Sequence, residues 1–290
     1  MILRNSMKFL FLVQIVFLFE CFSQVSAQND AVIPDHNKVF VWVNKCNIIL
    51  TGKKPSSEKT ESTVLNFQST GFNSETREKY LREVQHSEAW AENKVREIRR
   101  ALIETTSTTE IREKAREFNR LLADSTLALF HDLIHTDQWK MIRLDSAVRF
   151  LLAHPDRLNE VEKNFSDNWF YDQINMGADN FVISVYAHFL NRFPTKFELT
   201  QGKNMVSGHP AILFFKNGKC KDDFLSIFFQ SDEYLQNQII NIYQKIFFRN
   251  PSNLELVNNL NRFKAEPSIA VLERTLLASE EFVNPGRNNE

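Results

Sequence analysis

Three times along this chain an apolar helical run stops at a proline, restarts behind a hydroxyl residue and is closed by a serine three residues ahead of an aromatic ring. The first copy reads Ile49-Leu50-Thr51-Gly52-Lys53-Lys54-Pro55-Ser56-Ser57-Glu58 and closes on Ser87-Glu88-Ala89-Trp90. The second runs from Tyr186 through Pro194-Thr195-Lys196-Phe197-Glu198 to Ser231-Asp232-Glu233-Tyr234. The third runs from Tyr243 through Pro251-Ser252-Asn253-Leu254-Glu255 to Ser279-Glu280-Glu281-Phe282. Internal repetition constrains a fold more than any single motif, because each copy must bury its apolar face against a neighbour.

Each slot has a physical reason. Proline cannot continue a helix and pushes the residue before it out of the helical region, so it ends one helix and opens a turn. Thr195 with Glu198, and Ser252 with Glu255, are S/T-x-x-E capping boxes, in which hydroxyl and carboxylate satisfy free amide donors of the next helix. In the first copy Glu58 comes one residue early and Lys59 occupies the box position, so a looser turn is expected there. Phe181, Val185, Phe189 and Phe193 recur every four residues, and Leu235, Ile239, Ile242 and Ile246 fall on one helix face. The closing aromatics Trp90, Tyr234 and Phe282 are expected as core rings between helices. With only 7 Gly and 8 Pro in 290 residues, the chain is short of the turns of a sandwich or propeller and of glycine-rich phosphate loops. The expected fold class is therefore all-α: a helical repeat of helix-turn-helix units with a long-helix middle segment.

The expected organisation is a signal peptide over 1–27, a polar tail over 28–40 and an N-terminal helical unit over 41–105. A helical middle segment over 106–179, a C-terminal pair of repeats over 180–283 and a tail over 284–290 complete it. Arg4 and Lys8 precede an apolar stretch broken by Gln14 and Glu20, and Val25-Ser26-Ala27 supplies a small-x-small cleavage pattern. No later apolar run is long enough to cross a bilayer. In the middle, Glu75–Thr105 and Thr109–His135 hold charged, helix-favouring residues without Pro or Gly and predict two long amphipathic helices. Shorter helices interrupted at Pro155 and Gly177 follow, around a buried Trp169-Phe170-Tyr171 cluster.

The string Leu50-Thr51-Gly52-Lys53-Lys54-Pro55-Ser56-Ser57-Glu58 resembles the L-x-G-x-x-P-T-x-x-E signature of domains of unknown function that accompany c-type cytochromes in exported planctomycete-type envelope proteins. The later R-x-P-x-x-x-E-L units with a closing S-x-E-F/Y are similar to the C-terminal region of the same family, and to phycobilisome-linker-like secreted repeats. The resemblance implies an exported helical module without established catalytic residues. It does not extend to haem, since Cys46 and Cys220 stand alone with no C-x-x-C-H box.

Candidate chemistry is sparse. His131 and His135 share a helix face at i and i+4, a spacing that suits zinc, with His154, Asp137 or Glu160 as conceivable third ligands. Ser56-Ser57-Glu58-Lys59 and Ser166-Asp167-Asn168 mimic two serine-acylation motifs, but no K-T-G strand follows. Thr51-Gly52-Lys53 lacks the upstream glycine of a phosphate loop, and Arg96-Glu97-Ile98-Arg99-Arg100 alternates charge as a solvated face does. Cys46 and Cys220 either form one disulfide or are separately buried. Thirty-five Lys+Arg against 36 Asp+Glu, a net charge of -1, provide no global attraction to nucleic acid. The expectation is a non-enzymatic scaffold without cofactor or nucleic acid, docking an envelope protein in the periplasm or at the outer surface. The alternatives are a metal-dependent hydrolase using His131 and His135, or an accessory subunit of an envelope redox complex.

Overall fold

The computed structural model describes residues 34–104, 106–265 and 268–285, and among them the chain is all-α apart from one two-stranded hairpin. The expected signal peptide and the last five residues lie outside the described residues.

Helix α1 (His36–Thr51) begins on Asp35, whose carboxylate accepts the Asn37 N–H, so the tail expected over 28–40 is helical from His36 onward. It ends on Gly52 at φ 70, where an added Cβ would approach Asn93 Oδ1 to 2.7 Å, so backbone and space both require glycine. Helices α2 (Ser57–Thr70), α3 (Ser74–Gln85) and α4 (Glu88–Leu102) follow. The first turn lacks the reciprocal capping box of the later two. Ser56 accepts the Lys59 N–H at 3.2 Å, and the Thr51 hydroxyl bonds both the carbonyl and the N–H of Lys53.

The long helix expected over Glu75–Thr105 is broken into α3 and α4. Ser87 is the cause: its hydroxyl donates to the Val84 carbonyl at 2.6 Å and accepts the Trp90 N–H at 3.3 Å, so it serves both helix ends at once. The stretch Thr109–His135 likewise splits into α5 (Thr108–Leu122), a 3₁₀ segment Ser125–Phe130 and α6 (His131–Asp145), with Asp124 accepting the Thr126 N–H at 2.9 Å. Short helices α7 (Ala147–Ala153), α8 (Leu158–Ser166) and α9 (Trp169–Ile174) lead on. Of the expected aromatic cluster only Tyr171 is buried; Trp169 is half-exposed with Lys114 Nζ 3.9 Å above its ring.

Helices α10 (Ala178–Leu190) and α11 (Lys196–Val206) precede the hairpin, whose strands β1 (Ala211–Leu213) and β2 (Lys216–Gly218) pair antiparallel with Leu213 opposite Lys216. Helices α12 (Lys221–Phe229), α13 (Asp232–Phe247), α14 (Asn253–Ala265), α15 (Ile269–Ala278) and α16 (Glu280–Val283) finish the chain. The stripe Leu235, Ile239, Ile242 and Ile246 is buried as its spacing requires. Phe181, Val185 and Phe189 are buried too, but Phe193 is 76% exposed, because α10 has already ended in the left-handed residue Asn191.

Local geometry recurs at the three prolines. Gly52, Asn191 and Phe248 each hold positive φ three residues ahead of Pro55, Pro194 and Pro251. Ser56, Thr195 and Ser252 cap the helix that follows, and Ser87, Ser231 and Ser279 cap the closing helix. Between those points the copies differ: the second carries the hairpin, and the third shares α13 with the second.

The first and last parts of the described residues meet where α3 packs on α15. Buried Arg77 donates from Nε to the Ala278 carbonyl at 2.9 Å and from Nη2 to Glu280 at 2.5 Å, and Trp42 Nε1 donates to the Leu277 carbonyl at 2.9 Å. A cation against the last carbonyls of a helix suits its negative end. One apolar core runs through the α-helices and β1, and no helix among the described residues is long and apolar enough to cross a membrane.

Candidate functional site

Helices α4, α8, α10, α13 and α15 enclose a cleft of about 260 Å³. Each supplies residues at helical spacing: Lys94, Glu97, Ile98 and Ala101 from α4, Leu158 and Glu162 from α8, Gln238, Asn241, Ile242 and Lys245 from α13, Ile269 and Glu273 from α15. His188 and Phe189 come from α10. Leu158, Phe189, Ile242 and Ile269 make the walls apolar, and the polar groups fall into two levels.

At the floor, Lys94 Nζ lies 2.5 Å from Glu273 Oε1, with Lys94 4% and Glu273 2% exposed. At the mouth, Lys245 Nζ lies 3.3 Å from Glu97 Oε2, and both side chains reach solvent. Burial works against the Lys94 ammonium, but Glu273 and Glu97 outweigh it and hold its pKa above the ordinary lysine value. Glu162 is pushed up to about 7 by burial, against the opposing pull of the Tyr234 hydroxyl, which donates to it at 2.5 Å, and of Lys94. Burial lowers His188, with Glu104 acting in the other direction, and its Nδ1 stands 3.0 Å from the Tyr171 hydroxyl. Glu273 Oε2 is buried with no hydrogen-bond partner. Three carboxylates, two ammonium groups and the His188 imidazole equip this cleft for polar binding and for proton exchange.

None of the candidate histidines, cysteines or repeat positions lines the cleft, although Tyr234 reaches it through its bond to Glu162. Glu97, Ile98, Phe189 and Ile242, read from the sequence as a solvated face and as core stripes, do line it. The two predicted capping boxes form: Thr195 N donates to Glu198 at 2.7 Å and Ser252 N to Glu255 at 2.7 Å. Their carboxylates have a second role that spacing had not suggested. Arg192 bonds Glu198 and Glu233, and Arg249 bonds Glu255 and Glu281 with the same atoms, each guanidinium lying over a tyrosine ring, Tyr186 or Tyr243. The signal was present as an arginine two residues before each of the later prolines. In the first copy Lys53, Lys59 and Ala89 take all three places and no such network exists, while Glu58 is an exposed first-turn acid. Burial pushes Glu198 up but the Arg192 and Thr195 bonds outweigh it, and Arg249 acts likewise on Glu255, so both carboxyls titrate at about 2. Trp90 and Tyr234 are core rings as expected, whereas Phe282 is half-buried.

His131 and His135 are not gathered into a metal centre. His131 Nε2 lies 3.3 Å from the Asp124 carbonyl, and His135 Nε2 accepts the Trp139 indole N–H at 3.2 Å. Of the conceivable third ligands, Glu160 pairs with Arg157 and His154 packs on Phe150, and no group of three metal-ligating side chains occurs among the described residues. Ser166 is buried, donating to the Lys163 carbonyl, and Asp167 pairs with Lys140 and Lys221. Cys46 and Cys220 are both free, so the disulfide alternative is not realised. Cys46 is sealed in the core on α1, and Cys220 is exposed ahead of α12, which corrects the other alternative as well.

No model of a known protein family, no curated protein and no solved structure matches this chain.

Proposed function

We propose that the chain is a non-enzymatic helical interaction module of a bacterial cell-envelope complex, exported to the periplasm or outer surface, and built on three copies of one proline-punctuated turn. The observation that carries the docking role is Phe215. Leu213 pairs with Lys216, so Phe214 and Phe215 form the whole turn of the hairpin, with φ 47 and 62. Two positive φ values at a two-residue turn favour Asn and Gly, and bulky rings there cost energy. Phe214 offsets that cost by packing beside Tyr186 and Phe228, whereas Phe215 is fully exposed and gains nothing from its own chain.

Other apolar groups extend the same edge. Ile212 is half-exposed, its N–H bonds the Gln201 side chain on α11, and exposed Phe197 lies one turn before Gln201. An aromatic finger held on rigid helices is the shape that anchors in a partner's pocket. Export is supported by the sequence of residues 1–27 and by the resemblance to exported helical domains.

The test is a photo-crosslinking residue placed at position 215 of the full chain in its native host. The reading expects one repeatable crosslinked envelope protein, lost when Phe197→Ser is added, and a mature N-terminus at Gln28. Crosslinks no more selective than those from a control at exposed Leu65 would refute the docking role, and recovery only from the cytoplasm would refute export.

A further inference from the structure

We propose that the cleft between α4, α8, α10, α13 and α15 binds a small organic cation, an ammonium group carried on an apolar body. None of its residues belongs to the hairpin edge, so this inference stands independently of the docking role.

The argument starts from hydrogen-bond supply. The buried floor carboxylate Glu273 gives one oxygen to Lys94 and keeps the other, Oε2, without a donor. An orphaned buried acceptor costs free energy, and a ligand N–H at that oxygen recovers it. Lys94, Glu162 and Glu273 line the same cleft, and the Lys94 ammonium lowers the Glu162 carboxyl against the effect of burial. Glu162 has a single donor, the Tyr234 hydroxyl. The lysines are already matched, Lys94 to Glu273 and Lys245 to Glu97, so the negative charge in excess is that of Glu162. An entering anion would have to break one of those pairs, whereas an ammonium adds donors where they are lacking.

Size and polarity limit the rest of the molecule. Engineered cavities of about 150 Å³ hold benzene, so 260 Å³ takes one ring or a short alkyl chain with its ammonium. Leu158, Phe189, Ile242 and Ile269 offer that body an apolar wall. A cation beside Glu162 favours its ionised form, so affinity falls as pH drops below neutrality. The charged and titrating groups that face it are Lys94, Glu97, His188, Lys245 and Glu273, with Glu104 acting on His188. His188 gains charge in the same direction and adds to the loss.

Isothermal titration of the full-length chain with 2-phenylethylamine, 3-phenylpropionate and 2-phenylethanol separates the cases. At about pH 8, where Glu162 is ionised, the amine is expected to bind at least about tenfold more tightly than the other two. Glu162→Gln is expected to weaken the amine about tenfold and to blunt its pH dependence, while cooperative melting shows that the variant folds. Tighter binding of the propionate, equal binding of all three, no amine binding up to about 10 mM, or an unchanged Glu162→Gln variant would each overturn the proposal.

Discussion

Arg192 holds Glu198 in a fork, Nη1 to Oε2 at 2.9 Å and Nη2 to Oε1 at 2.7 Å, and its remaining edge reaches Glu233 at the start of α13. A single planar group thereby joins a helix end, the turn after it and the next helix start, which a lysine cannot do with a point charge.

Removing that group should cost stability in two copies and not in the first. Arg192→Met and Arg249→Met are each expected to lose about 1–3 kcal/mol, toward the lower figure because both side chains are partly exposed. Lys53→Met, at the corresponding place, should stay within about 0.5 kcal/mol of the parent. Urea unfolding at neutral pH measures all three.

Stability should pass through a maximum on the acid side of neutrality. Glu198 and Glu255 titrate at about 2 in the fold, below the ordinary glutamate value, so what they contribute is complete above that ordinary value and is lost as pH falls toward 2. Glu162 is shifted the other way, to about 7, so its contribution is complete below the ordinary glutamate value and is lost as pH rises from there through 7. Glu162→Gln should therefore leave acid stability unchanged and stabilise the chain above neutrality, as urea midpoints across the pH range would record.

The floor of the cleft should tolerate losing both charges better than losing one. Glu273→Leu leaves the Lys94 ammonium buried without its hydrogen-bonded carboxylate, at an expected cost of about 3–5 kcal/mol. Adding Lys94→Met should recover a large part of that, because two apolar side chains fill the same space without desolvated charge. A double-mutant cycle gives the answer directly.

Left-handed caps provide a test of opposite sign. Phe248 sits at φ 57 and is 91% exposed, so its ring gains little from packing. Phe248→Gly should stabilise by about 0.5–1 kcal/mol, whereas Gly52→Ala, at φ 70 against Asn93, should destabilise. Thermal melts of the two variants distinguish them.

Local chemistry was legible in the residues alone. Proline ends a helix wherever it stands, and Thr195 with Glu198 or Ser252 with Glu255 closes a capping box using atoms three residues apart, so no distant contact is needed. The buried stripe of Leu235, Ile239, Ile242 and Ile246 followed from the period of a helix for the same reason. Ser87 stands in the sequence both as the closing serine of the first copy and inside the stretch that reads as one long helix, because a serine among charged, helix-favouring residues has two local options, and packing of Trp90 in the core accompanies the capped one.

Tertiary structure alone decided which faces meet. Arg77 and Ala278, or Lys94 and Glu273, lie far apart in the chain, and nothing in either local pattern names its partner. Periodicity tells that a helix has an inner face, but not which helix lies opposite. The candidate cleft therefore became visible only when five helices brought Lys94, Glu162 and Glu273, each a polar residue among core-facing positions, to one place.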